Sequence, residues 1–187
     1  NILTTDYVVL IHDDDCVRGL KVLHDGAELL RARCGLSPEL AAALRSRMGI
    51  SSLCNLIASI KTARMLDLPE DANIVTIATD GFDRYPSVLD DLARRTDGLI
   101  DIRRIEGWYE EVLLGATADE FLDVRTHGQK DRLDLAKRAM WRRFGYRDDL
   151  FDAMKRQRFW ETEYEKAYIY NERIARYREK HGSLTPG

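Results

Sequence analysis

The sequence predicts an α/β fold over residues 1–96, part of a three-layer domain with a parallel sheet between helices. A mostly helical extension follows over 97–187. Two short, continuous apolar runs, TDYVVLI (5–11) and NIVTIAT (73–79), read as strands buried on both faces. Segments of helical period lie between them, the alternation that makes a parallel sheet covered on both sides. From about residue 97 the helical period stands alone.

The elements follow in order. TDYVVLI runs into HDDDCVRGLKVLH, where an aspartate caps a helix with Cys16, Leu20 and Leu23 on one face. Asp25-Gly26 and Cys34-Gly35 mark turns. Ser37-Pro38-Glu39 opens a further helix, with proline where a missing N–H costs nothing. In MGISSLCNLIASIKTARMLDLP (48–69), Gly49 permits a tight turn. Ser51 or Ser52 caps a helix there, carrying Cys54, Ile57, Ala58 and Met65 inward before Pro69. NIVTIAT is the second strand, Asp80-Gly81 breaks it, and Pro86-Ser87 begins a helix over roughly 87–96. Beyond, WYEEVLL, ATADEFLDV and QKDRLDLAKRAMWRRFGY read as helices, with Thr117-Ala-Asp-Glu120 as a capping box. The stretch Asp148–Lys180 reads as one or two amphipathic helices laid against a body or a partner, and HGSLTPG as a frayed end.

Composition bounds the function. With 44% hydrophobic and 33% charged residues in 187, the chain is globular rather than disordered. No apolar run approaches the roughly 18 residues of a membrane span, so no membrane role is expected. The opening NILTTDYVVLIHDDD lacks a basic n-region and is not a signal peptide. Residues 1–124 carry 13 basic and 22 acidic side chains, against 16 and 10 in 125–187. Such asymmetry suits an acidic surface facing a basic one, within the chain or across a homodimer, better than a nucleic-acid tail, and no nucleic acid is expected. Cys16, Cys34 and Cys54 show no CxxC spacing and read as reduced thiols of a cytoplasmic protein.

Familiar catalytic motifs are missing: there is no GxSxG, HExxH, GxxxxGK[ST] or GxGxxG. His12 with Asp13, Asp14 and Asp15 suggests a metal cluster, but neighbours at a strand end cannot all converge on one ion, and no metal is expected. His127 has no second ligand at helical spacing, and His24 and His181 adjoin turns. Cys54 lies near a helix start, where a thiol is activated, yet on the apolar face, where it is structural. The YEE and DEFLD carboxylates read as solvated helix faces rather than a glycosidase pair. Trp108, Trp141, Trp160 and the late tyrosines read as core and interface anchors. GISS and TDGFDRY remain. By spacing alone they are two helix caps, although both sit where α/β sheets hold ligands, beyond strand ends and at helix starts.

Those residues resemble a known family. Gly49-Ile50-Ser51-Ser52, a small-residue helix, an apolar strand and a glycine-containing turn ending in Arg84-Tyr85 are similar to the C-terminal part of the cysteine synthase family. This is the fold-type II group of pyridoxal phosphate enzymes, with cystathionine β-synthase and the tryptophan synthase β subunit among its relatives. The family order GISSGA, helix, strand, PSSGERY is matched by GISSLCNLIASIKTA and NIVTIATDGFDRYPSVL, and the resemblance covers roughly residues 5–95. It lies nearest a longer, cysteine-synthase-like branch with a helical C-terminal extension.

The resemblance implies pyridoxal 5′-phosphate as cofactor and Ser51 as the hydroxyl facing its pyridine nitrogen, in a turn with Gly49 and Ile50. It places Asp80 and Gly81 near the ring and aligns Tyr85 with the family tyrosine. A neutral hydroxyl leaves the ring nitrogen unprotonated, a milder electron sink suited to β-elimination and β-replacement. This chain has ATDG where typical members have PSSG, which brings a carboxylate to the site. The family's Schiff-base lysine and phosphate loop have no counterpart here; Lys61 lies inside the GISS helix. The expectation is therefore the C-terminal portion of a lyase or synthase acting on serine or an O-activated serine. The N-terminal half of the same enzyme would be its partner, in a homodimer. A threonine synthase or ammonia-lyase and a non-catalytic α/β binding module stay open as alternatives.

Overall fold

Local chemistry sets most of the helix boundaries. In the computed structural model, which describes residues 4–117 and 119–182, α1 (Asp13–Asp25) starts at an extended His12, with Asp13, Asp14 and Asp15 in its first turn. Carboxylates there favour the positive end of the helix dipole. The residue at the cap position is thus His12 rather than an aspartate. After α2 (Ala27–Cys34), which the paired turn signals hide, Ser37 Oγ accepts from Leu40 N at 3.1 Å and Pro38 opens α3 (Pro38–Arg47). Next come α4 (Ile50–Met65), a 3₁₀ turn (Phe82–Arg84), α5 (Pro86–Arg95) and α6 (Ile102–Trp108), which runs into a π-helical turn (Tyr109–Leu114). The rest is α7 (His127–Arg142), α8 (Asp148–Met154) and α9 (Gln157–His181).

The three-layer parallel sheet is overturned. Helices account for 68% of the described residues, and the strands among them are β1 (Tyr7–Val9) and β2 (Phe121–Asp123), paired antiparallel in one small sheet. TDYVVLI does contain a strand, but its partner is the FLD that helical period had assigned to a helix. Leu10 N donates to Glu120 O at 2.9 Å beside the pair. Glu120 has a φ of 57°, so the expected capping box does not open a helix. Ala118, inside that box, and residues 183–187 of the expected frayed end lie outside the described residues.

NIVTIAT pairs with no strand among the described residues. It runs along one side of α4, where Asn55 Nδ2 donates to Ile77 O and Thr79 N donates to Ser52 Oγ, both at 2.9 Å. Val75 is 92% and Ile77 70% exposed. An apolar run signals burial only when a neighbour covers it, and among the described residues Val75 and Ile77 stay largely uncovered.

The chain divides into two compact units, Tyr7–Leu122 and Asn1–Asp6 with Asp123–Gly187. In the first, α1 is central and packs on α4, α5, α6 and the π-helical turn. Its core joins Leu20, Val22 and Leu23 of α1 to Leu53 and Ile57 of α4, with Leu92, Ile105, Tyr109 and Val112. Cys16, Leu20 and Leu23 all face this core as their spacing predicts. In the second unit α7 and α8 enclose Phe151 and Arg138, while no residue of α9 is buried. No helix among the described residues is long and apolar enough to cross a membrane.

Candidate functional site

The start of α4 and the turn after Ile77 meet. Gly49 occupies the N-cap position without any side-chain cap, so neither Ser51 nor Ser52 caps the helix. Ser52, three residues on, points inward and is fully buried. Its Oγ accepts Thr79 N at 2.9 Å and lies 3.4 Å from Thr79 Oγ1, which ties the turn to the helix. Ser51, one position earlier on the same turn, is exposed.

Two glycines let the backbones close up. A Cβ at Gly49 would lie 2.5 Å from Tyr85 Cε2 and 2.7 Å from Asp80 O. One at Gly81 would lie 2.7 Å from both Ser46 O and Asp83 Oδ1. Real Cβ atoms do not approach that closely, so a side chain at Gly49 would push the turn off the start of α4, and one at Gly81 would push it off the end of α3. Tyr85 Oη donates to Asp80 Oδ2 at 2.7 Å. That bond, with a second from Thr79, holds the Asp80 carboxyl below its ordinary value, and the same carboxylate raises the Tyr85 phenol. Asp80 is thus an oriented anion at neutral pH.

Of the residues singled out by sequence, Gly49, Asp80 and Tyr85 form one contact group, Gly81 follows Asp80 in the chain and abuts Ser46, and Ser51 is exposed on the adjoining helical turn. Ile50 packs its side chain against the core and leaves only its backbone for a ligand. Sequence reasoning missed the roles of Ser52, Asn55 and Thr79. A polar pair three residues apart on an otherwise apolar helix face was the available signal.

The remaining candidates are engaged elsewhere. Lys61 Nζ lies 3.4 Å from Leu10 O and 3.7 Å from both Asp119 and Glu120, pinning α4 beside the small sheet. Burial pushes the Cys16 thiol up to about 12, and the adjacent Cys54 adds to the effect. Cys34 Sγ sits 3.3 Å from Tyr109 Oη. Among the YEE and DEFLD carboxylates, Glu111 pairs with Arg18 and Asp123 with Arg125. Among the described residues no group of three or more His, Cys, Asp or Glu could hold a metal ion.

Comparison with protein-family models, with curated proteins and with solved structures finds no match to this chain.

Proposed function

We propose that this chain supplies the ring-nitrogen side of a pyridoxal 5′-phosphate site in a lyase or β-replacing synthase acting on serine or an O-activated serine. The observation that carries the reading is the closure of the Asp80–Tyr85 turn over the start of α4. Gly49, with no room for a side chain, sits at the contact, Gly81 seats the same turn against Ser46 at the end of α3, and Ser51 is left exposed beside it.

The residues present fit one side of that cofactor. Ser51 offers a neutral hydroxyl able to donate to an unprotonated pyridine nitrogen. Gly49 and Gly81 offer bare backbone. Asp80, fixed by Tyr85 and Thr79, holds a negative charge beside the turn without consuming the Ser51 hydroxyl. When bound, pyridoxal phosphate supplies the electron sink for loss of a β-substituent. The residues here do not fit its phosphate or its carbonyl. Lys61 is committed to Leu10 O, about 15 Å along the helix from Ser51 at 1.5 Å per residue. A lysine and a phosphate loop would come from the N-terminal half of the same enzyme.

The test is to purify the chain together with that half, add pyridoxal phosphate and record the visible absorbance of bound cofactor. A coloured complex that turns over O-acetylserine with sulfide is expected. A complex that stays colourless contradicts the reading, and one that consumes threonine instead moves it to the threonine synthase or ammonia-lyase alternative.

A further inference from the structure

We propose that the unit Tyr7–Leu122 carries a second binding site, for a small dianion, in the cleft where the start of α1 meets the end of α5 and the length of α6. The cleft encloses about 340 Å³ and is lined by Asp14, Arg18, Leu92, Arg95, Thr96, Arg104 and Trp108. A neighbouring cavity of about 390 Å³ shares Arg104 and adds Gly98–Asp101. None of these residues belongs to the Gly49–Tyr85 contact, so this proposal stands or falls apart from the cofactor reading.

Three guanidiniums on one small cleft need an electrostatic reason. Two are held in place by carboxylates: Arg18 Nη1 lies 3.0 Å from Glu111, and Arg95 reaches Asp14 at 2.8 Å and Asp91 at 3.1 Å. A guanidinium has five N–H donors, and these pairs use one or two of each, so fixed donors remain. Arg104 is half-buried on the shared wall and has no ion-pair partner among the described residues. Its backbone N–H is taken by Asp101 Oδ1 at 3.0 Å, a bond that anchors the main chain there and uses none of the guanidinium donors.

The floor narrows the ligand. Leu92 is 4% and Trp108 9% exposed, so the cleft has an apolar base beneath a rim of three guanidiniums and one carboxylate, Asp14. That arrangement suits a compact ligand with an anionic head over a short carbon body. Arginine forks recognise carboxylate and phosphate oxygens by paired, charge-assisted hydrogen bonds. A phosphate monoester and a short dicarboxylate share that chemistry, and both are small enough to enter the cleft.

Isothermal titration calorimetry on the full chain tests this, with inorganic phosphate and succinate as separate probes and sodium chloride holding ionic strength constant. Saturable one-to-one binding of at least one probe is expected. Binding of phosphate alone assigns a tetrahedral anion, and of succinate alone a carboxylate ligand. Arg104→Gln should weaken binding by roughly tenfold or more, the loss of one or two charge-assisted bonds. Arg104→Lys, which keeps the charge but not the fork, should fall between. Arg132→Gln, on an exposed position of α7, should bind as the parent does, with thermal melts confirming that each variant folds. Absence of saturable heat from both probes, or parental affinity in folded Arg104→Gln, overturns the proposal.

Discussion

The two units of this chain are held together by different forces. Tyr7–Leu122 rests on a continuous apolar core in which Leu20, Val22, Leu53 and Ile57 are essentially inaccessible. In the unit containing Asp123–Gly187, the α7–α8 junction is organised around a charge network instead. Arg138 reaches Asp134 at 2.9 Å and Asp152 at 2.7 Å while lying 5.3 Å from the Phe151 ring centre, and Lys155 also holds Asp134 at 2.9 Å. Apolar burial tolerates salt and acid, whereas ion pairs with exposed partners do not. A turn held against a helix by glycine contacts and one buried serine needs the first kind of support. The candidate cofactor site lies in that unit.

Loss of core volume should strike the first unit hardest. Leu53→Ala should destabilise the first unit by about 3 kcal/mol, the usual cost of a leucine cavity. Thermal unfolding followed by Trp108 should report it, whereas an unchanged midpoint would mean that α4 is not part of the core. Next in size, Gly49→Ala should cost about 2 kcal/mol, because its Cβ must displace Asp80 O and Tyr85. It should also expose the backbone N–H of Thr79 to hydrogen exchange.

Acid sharpens the contrast. Burial raises the Asp134 carboxyl, but bonds to Lys155 and Arg138 outweigh it and leave the group below its ordinary value. A carboxyl depressed in the folded state stabilises above its unfolded pKa of about 3.9, and that contribution is lost as pH falls through the folded value. Below about pH 4 the α7–α8 junction should therefore loosen first, seen as a change at Trp141 and Trp160 before any change at Trp108. Simultaneous change at all three would refute the division of forces.

The smallest effects come from the two neighbouring serines. Ser52→Ala removes the acceptor for Thr79 N and should cost about 1 kcal/mol. Ser51→Ala, at an exposed position, should leave stability within about 0.5 kcal/mol of the parent. Equal melts for the two variants would dissolve the distinction between the serine that holds the turn and the serine left open.

How much of this was legible in the sequence follows from which signals are local. Ser37-Pro38 announced α3, and Pro86 announced α5, because caps and first turns act over four residues. The face of α1 was legible from the spacing of Cys16, Leu20 and Leu23. Sheet pairing was not. Whether TDYVVLI or NIVTIAT becomes a strand depends on a distant partner, and FLD carried a helical period until β1 recruited it. At the site, Gly49 and Asp80 were visible as turn residues. That their backbones touch, and that Ser52 rather than Ser51 is the anchor, depended on which side of α4 the turn would take.

In the proposed cofactor site the Ser51 hydroxyl serves a pyridine nitrogen, while Ser52 serves the fold. Titration of pyridoxal phosphate into the chain joined with the proposed lysine-bearing half, in parental, Ser51→Ala and Ser51→Asp forms, tests this division of roles. A moderate loss of cofactor affinity in Ser51→Ala without loss of stability, and altered reaction specificity in Ser51→Asp, are expected. Parental affinity and parental kinetics in both variants would contradict it.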